Sequence, residues 1–221
     1  TFSTPHGGGG PGSGPVAVSE KLISFLPEPV VGIVEEGDSE TPPLYGFIRP
    51  ANTIGRVKSF HGHFGVLVRA LTYILMSGAE GLRSVSEYAV LNANYLMALL
   101  KNSYTLPYDR TCMHEFVLEG VWDDKPGIHA LDIAKRLMDY GYHPPTNYFP
   151  LIVKEALMIE PTETENKETL DNFAKAMLSI AEEAKVDPDL LHNAPHNAPV
   201  GRLDEVKAAR DLVLCCWRPE D

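Results

Sequence analysis

Behind His6, in the run TFSTPHGGGGPGSGP (Thr1–Pro15), stand four consecutive glycines, Gly7 to Gly10, and any chemistry they do is done by backbone alone. With no side chains in the way, successive N–H groups can converge on an anion such as a phosphate. The run matches neither GxxxxGK[ST] nor a strand-bounded GxGxxG, so the nucleotide-binding fingerprints are missing and a flexible tether is the competing reading. His61-Gly62-His63, with His114-Glu115 further on, has the residue types of half a metal site. No HExxH or CxxC completes a closed ligand set, and histidines at a helix start are the better account. His192 and His196 stand four residues apart, but Pro195 and Pro199 predict an extended loop there, with surface histidines. No Gly-x-Ser-x-Gly elbow occurs, and no cysteine sits near an obvious base, so nucleophilic hydrolysis has no support. Glu160 to Glu165 (EPTETE) reads as a turn that brings carboxylates to the positive end of a helix. Asn92, Asn94 and Tyr95 fall mid-helix, where asparagine gains little from propensity. They are either buried hydrogen-bonding residues at an interface or part of a polar face.

The chain that must position these groups is long enough, at 221 residues, for one large domain or one and a half. Its 44% hydrophobic and 22% charged residues are an ordinary globular balance. A formal charge of −11 excludes the basic face that nucleic-acid binding requires. Cys112, Cys215 and Cys216 form no disulfide framework, which predicts reduced thiols and a cytoplasmic setting. Gly62, Arg69 and Gly78 interrupt the longest apolar candidate, so no membrane-spanning run is expected. No basic segment followed by an apolar one marks a signal peptide.

Periodicity supplies the elements. Val16 to Leu26 carries a short helical stripe stopped by Pro27 and Pro29; Val30–Val34 and Leu44–Ile48 read as extended pieces. Too few elements precede Ile54 to enclose a core. From His63 the pattern is helical until Gly78 and Gly81 break it, and a second helix follows over Leu82 to Leu100. His114 to Glu119 reads as a strand, Ile128 to Tyr140 as an amphipathic helix, and Leu151–Val153 and Leu157–Ile159 as strand pieces. Thr169 to Ala184 is a helix that Asn166 or Thr164 can cap, and Leu203 to Val213 a final one. Alternation without room for crossovers predicts an α+β layer with a small, mainly antiparallel sheet. The expected organisation is residues 1–62 as the end of a larger α/β domain, 63–101 as connecting helices, and 102–221 as a small α+β domain.

The blocks TFSTPHGGGGPGSGPV (1–16), VLNANYL (90–96), HEFVL (114–118), AKRLMDYGYHPPT (134–146) and EALMIEPTETE (155–165) occur in that order. Together they resemble the glycine decarboxylase family, the P-protein of the glycine cleavage system, from end to end. PLIVKEALMIEPTETE and APHNAPVGRLDEVKAAR resemble subunit 2 of its two-subunit bacterial and archaeal form. That resemblance implies a fold-type I enzyme that uses pyridoxal phosphate to decarboxylate glycine and passes the aminomethyl group to the lipoyl arm of the H-protein. It implies subunit 1 as partner, in a heterotetramer. In the family a His-Lys pair directly precedes the Thr-Phe matched by Thr1-Phe2, and that lysine forms the cofactor Schiff base. The chain is therefore expected to be a C-terminal part that is inactive alone and prone to self-association through faces made for other parts. Lys21, Lys58 and Lys154 do not match the lysine motif. By the resemblance, Thr1, His6 and Gly7, Gly8, Gly9 and Gly10 bind the cofactor, with His6 a candidate for moving protons. His114, Asn147 and Thr162 are candidates for lining the mouth of the site. No arginine in these blocks offers itself to the glycine carboxylate. Another fold-type I enzyme of amino-acid metabolism, or a non-catalytic assembly module, is the alternative.

Overall fold

A computed structural model of the chain describes residues 2–4, 12–58, 61–124 and 127–214. The chain divides into two compact units, Thr1–Leu82 and Arg83–Asp221. In the first, a 3₁₀ turn at Glu20–Phe25 is followed by an antiparallel pair, β1 (Val30–Glu35) and β2 (Leu44–Ile48). Val30 pairs with Ile48 and Ile33 with Tyr45, and the register slips between Ile33 and Glu35. Gly32 lies opposite Gly46 in this ladder. The loop after β2 returns to the 3₁₀ turn through Asn52 N–H to Ser24 O and Thr53 Oγ1 to Leu26 O. None of the described residues of this unit is buried. Val31, Tyr45, Phe47, Leu71 and Leu75 are exposed, although two strands and a helix with such side chains ordinarily bury them.

Helix α1 (Phe64–Leu100) runs from one unit into the other, broken at Gly78, whose φ of 63° and ψ of −178° suit glycine and few other residues. The break falls where the sequence predicts it, with the chain helical again before the expected restart at Leu82. By length, and by the mean hydropathy of 1.2 over an 18-residue stretch of it, α1 is long and apolar enough to cross a membrane, which the interruptions had argued against. Arg69 and the glycines are too few to offset Val66, Leu67, Val68, Leu71, Ile74 and Leu75 in that average. The Gly78 break speaks against a span, because hydrocarbon offers no partners to an interrupted amide–carbonyl ladder.

The second unit holds the core. Its strands β3 (Phe116–Glu119), β4 (Thr146–Asn147) and β5 (Ala156–Ile159) form an antiparallel sheet in the order β3-β5-β4. Phe116 pairs with Ile159 and Asn147 with Leu157. Helices α2 (Ala130–Asp139) and α3 (Lys167–Val186) pack with it, and a short α4 (Pro188–His192) closes the layer. Leu96 and Leu100 from α1, Leu118, Leu157, Ile133, Leu137, Met177 and Ile180 are fully buried together. Asn166 caps α3 by accepting from Thr169 N–H at 2.9 Å. Thr164, the other candidate cap, instead meets the Thr162 hydroxyl.

Three expectations need correction. Leu151–Val153 is a turn within the β4–β5 loop, because Tyr148 (φ 63°) and Glu155 (φ 48°) reverse the chain on either side of it. His192 ends helix α4 rather than lying in an extended loop, since Pro188 stands where a helix tolerates proline best, in its first turn. The last helix, α5, covers only Glu205–Arg210.

Arg136 on α2 grips Glu183 on α3 through Nε and Nη2, at 2.9 and 3.0 Å, and reaches Asp139 at 3.1 Å. Burial pushes the Glu183 carboxyl up, but the Arg136 guanidinium and the Tyr140 hydroxyl outweigh it and hold the group below the ordinary glutamate range. A carboxyl depressed by folding stabilises the fold above its unfolded value of about 4.5, and that contribution is lost as pH falls through the lower folded value. Urea midpoints measured across pH 3 to 6 are therefore expected to fall toward acid, with a shallower fall in Glu183→Gln. Equal slopes for the two proteins would refute this.

Candidate functional site

Of the residues singled out in sequence, His114, Asn147 and Thr162 lie in the second unit, on or beside its sheet. His114 is two residues before β3 and exposed; Thr162 is three residues after β5 and exposed. Because β3 and β5 are antiparallel with Phe116 opposite Ile159, both residues leave the sheet at the same end. Asn147, half-buried on β4, pairs with Leu157 and stands at the other end. The sheet thus brings His114 and Thr162 to one end and leaves Asn147 at the foot of the β4–β5 loop, which exposes Phe149, Leu151 and Ile152. Thr1, His6 and Gly7–Gly10 lie outside the described residues. His61 stacks on the Phe47 ring at 4.5 Å within the first unit.

Two asparagines missed as site residues hold the His114–Thr162 end together. Asn92 is buried, and its Nδ2 donates to both Thr162 O (2.9 Å) and Glu165 O (3.0 Å). Glu165 N–H itself closes a turn onto Thr162 O. Asn94 behaves like a strand neighbour: its Oδ1 accepts from Cys112 N–H at 3.0 Å and its Nδ2 donates to Cys112 O at 2.8 Å. Tyr95 OH donates to Asp171 on α3. All three are hydrogen-bonding residues, Asn92 buried and Asn94 and Tyr95 half-buried, and their signal was asparagine in a helix interior, where propensity gives it no reason to be.

A second polar cluster lies at the opposite end. Asp132 Oδ2 accepts from His129 N–H at 2.9 Å and stands 3.6 Å from His192 Nδ1, while its Oδ1 takes Arg202 Nη2 at 2.6 Å. Arg202 also donates to Ala194 O and Leu191 O. Two helical turns further on, Asp139 accepts from the backbone N–H groups of His196 and Asn197 at 2.6 and 2.7 Å. Burial raises the Asp139 carboxyl, yet these donors and Arg136 prevail and lower it. The segment between Ala194 and Arg202 is thereby strapped along α2. An open depression bordered by Leu131, Lys135 and Arg202 lies beside this strap and contains none of the three mouth candidates.

The small antiparallel sheet packed with helices has a counterpart among solved structures. The fold is similar, with a TM-score of 0.58 and 21% identity, to the crystal structure of glycine decarboxylase (P-protein) of the glycine cleavage system in inhibitor-bound form, over 73% of this chain and 37% of that one. Residues 85–197, just over half of the sequence, match the family described as glycine dehydrogenase, C-terminal domain, and the chain belongs to that family. It is 62% identical over 217 residues to the probable glycine dehydrogenase (decarboxylating) subunit 2 of Chlorobaculum tepidum, covering 98% of this chain and 44% of the relative. It is 60% identical over 214 residues to the protein of that name from Caldanaerobacter subterraneus subsp. tengcongensis, covering 97% and 43%. The chain spans less than half the length of these curated relatives.

Proposed function

We propose that the chain is the C-terminal part of subunit 2 of a cytoplasmic glycine dehydrogenase, which works with subunit 1 to decarboxylate glycine and hand the aminomethyl group to the lipoyl arm of an H-protein. Support comes chiefly from relatives about 60% identical over nearly all of this sequence that carry the subunit 2 name. The activity is proposed for the whole protein, since this chain matches under half of each relative. Its own share falls into an N-terminal piece, residues 1–62, that belongs to the cofactor domain, the connecting helices 63–101, and the small domain 102–221.

For pyridoxal phosphate the described residues offer one test of fit. Thr4, three residues before Gly7, is half-buried as a residue, but its Oγ1 atom is shut off from solvent and has no hydrogen-bond partner. A buried hydroxyl left unpaired is a donor that a phosphate oxygen satisfies. The cofactor would be held by Thr1, His6 and the backbone N–H groups of Gly7 to Gly10, with the Thr4 hydroxyl added. When bound, it supplies an electron sink for the pair left on glycine as carbon dioxide departs. His6 holds or moves a proton there. His114, Asn147 and Thr162 line the mouth. None of Lys21, Lys58 or Lys154 carries the cofactor, and the apolar side chains exposed in the first unit make the chain by itself self-associate.

The full-length protein, co-expressed with subunit 1 and loaded with pyridoxal phosphate, is expected to release labelled carbon dioxide from carboxyl-labelled glycine, with turnover that rises on adding lipoyl H-protein. Borohydride reduction is expected to label none of Lys21, Lys58 and Lys154. Turnover of other small amino acids but not glycine, or stoichiometric label on one of those lysines, would overturn the reading.

A further inference from the structure

We infer that Asn92 and Asn94 are positioning residues for the proposed glycine site, each fixing one of the two segments that carry His114 and Thr162; this rests on the proposed role of those two residues at the mouth. The two side chains project from α1 about 200° apart at 3.6 residues per turn, so the helix reaches to one segment on each flank. On one flank both N–H bonds of the Asn92 amide are spent on carbonyls at the two ends of the Thr162–Glu165 turn, at 2.9 and 3.0 Å. The turn's own backbone closure is Glu165 N–H to Thr162 O at 3.2 Å, and the Asn92 amide adds two hydrogen bonds that tie its two ends to α1. On the other flank Asn94 pairs with both backbone groups of Cys112, two residues before His114. His114 lies outside β3, and Cys112 is its nearest anchored neighbour on the N-terminal side. One rigid helix turn thus sets where two exposed side chains stand relative to each other.

Both contacts demand an amide. Asn92 must donate twice, and Asn94 must donate and accept; aspartate, of the same size, can donate to neither carbonyl and places a negative oxygen against them. Asn92→Asp and Asn94→Asp therefore release the turn and the Cys112 segment while changing little of the packing volume. Tyr95→Phe provides the comparison, because it removes a hydrogen bond from the same helix turn to Asp171 on α3, a residue outside the Thr162–Glu165 turn and the Cys112 segment.

The experiment uses the full-length protein with subunit 1 and pyridoxal phosphate, measuring kcat and KM for glycine beside the thermal midpoint of each variant. Positioning predicts that Asn92→Asp and Asn94→Asp lose about 100-fold in kcat, the order expected from a displacement near 1 Å, in protein that is still folded at the assay temperature. Tyr95→Phe is expected to keep kcat within about twofold of the parent even if its midpoint falls as far as theirs. Should an aspartate variant fail to fold, Asn92→Ala and Asn94→Ala take its place, and the expected direction is the same. Activity that falls in all three proteins in step with the folded fraction, or unchanged kcat in folded Asn92→Asp and Asn94→Asp, overturns the inference. His114→Ala and Thr162→Ala separate it from the site reading. Full turnover in those two removes the site and the inference together. Their loss of turnover beside full turnover in the asparagine variants removes the inference alone.

Discussion

Arg202→Met lowers the unfolding free energy of the second unit by about 3 kcal/mol, the low end of the cost of removing one partner from a buried ion pair. The Asp132 side chain is 9% exposed, and Arg202 gives its carboxylate the shortest contact it has, at 2.6 Å. Methionine keeps the stem of the side chain and loses the charge, so the little-exposed Asp132 carboxylate is left with only the His129 amide and a histidine ring nearby. Two backbone carbonyls, Ala194 O and Leu191 O, lose their donor at the same time. Urea denaturation followed by circular dichroism reads the cost as a lower midpoint. Adding Asp132→Asn to Arg202→Met should recover part of the loss, because no net charge is then left unpaired. A double variant less stable than the single one would show that the charge is not what Arg202 answers.

Gly120→Ala is the other substitution of large effect. A Cβ there would lie 2.7 Å from Glu155 O and 2.9 Å from both Cα and Cβ of Ala130. None of these is the end of a flexible side chain, so relief requires moving backbone. The crowding has a cause: Gly120 N–H donates to Glu155 O at 2.7 Å, and the Glu155 carboxylate accepts from Ala130 N–H at the start of α2. The end of β3, the entry to β5 and the first turn of α2 therefore meet at one residue without a side chain. Overpacking at a site like this costs about 2–3 kcal/mol. A thermal melt is expected to show a drop of several degrees, about 3 °C for each kcal/mol at this chain length. An unchanged midpoint would mean that the three backbones separate easily.

The elements built on local pattern were legible in the sequence. Leu170, Met177 and Ile180 on one face announced α3, and Asn166 stood where its cap belongs. His114–Glu119 and Leu157–Ile159 read as strands, and β3 and β5 lie there, each within two residues of the expected start. Leu151–Val153 misled because an apolar triplet reads as strand, while its direction is set by left-handed backbone at Tyr148 and Glu155 that composition does not disclose. Helix α4 was hidden by weighting Pro195 and Pro199 over Pro188. Site geometry was harder to read, and for one reason. Asn92 finds its partners 70 and 73 residues away and Arg202 finds Asp132 at a separation of 70, distances that no local periodicity reports. What the resemblance to the glycine decarboxylase family contributed was which blocks to watch, and among the described residues His114 and Thr162 then fall at one end of one sheet.

The strap along α2 is tied twice, by Asp132 to Arg202 and by Asp139 to the amides of His196 and Asn197. The two carboxylates are seven residues apart on one helix, so they share a face at a spacing of about 10 Å. Two ties on a short tether behave as a bivalent ligand. When either lets go, the other holds it within reach at an effective concentration in the millimolar range, and rebinding outpaces escape. The strap therefore comes off α2 only when both anchors fail together.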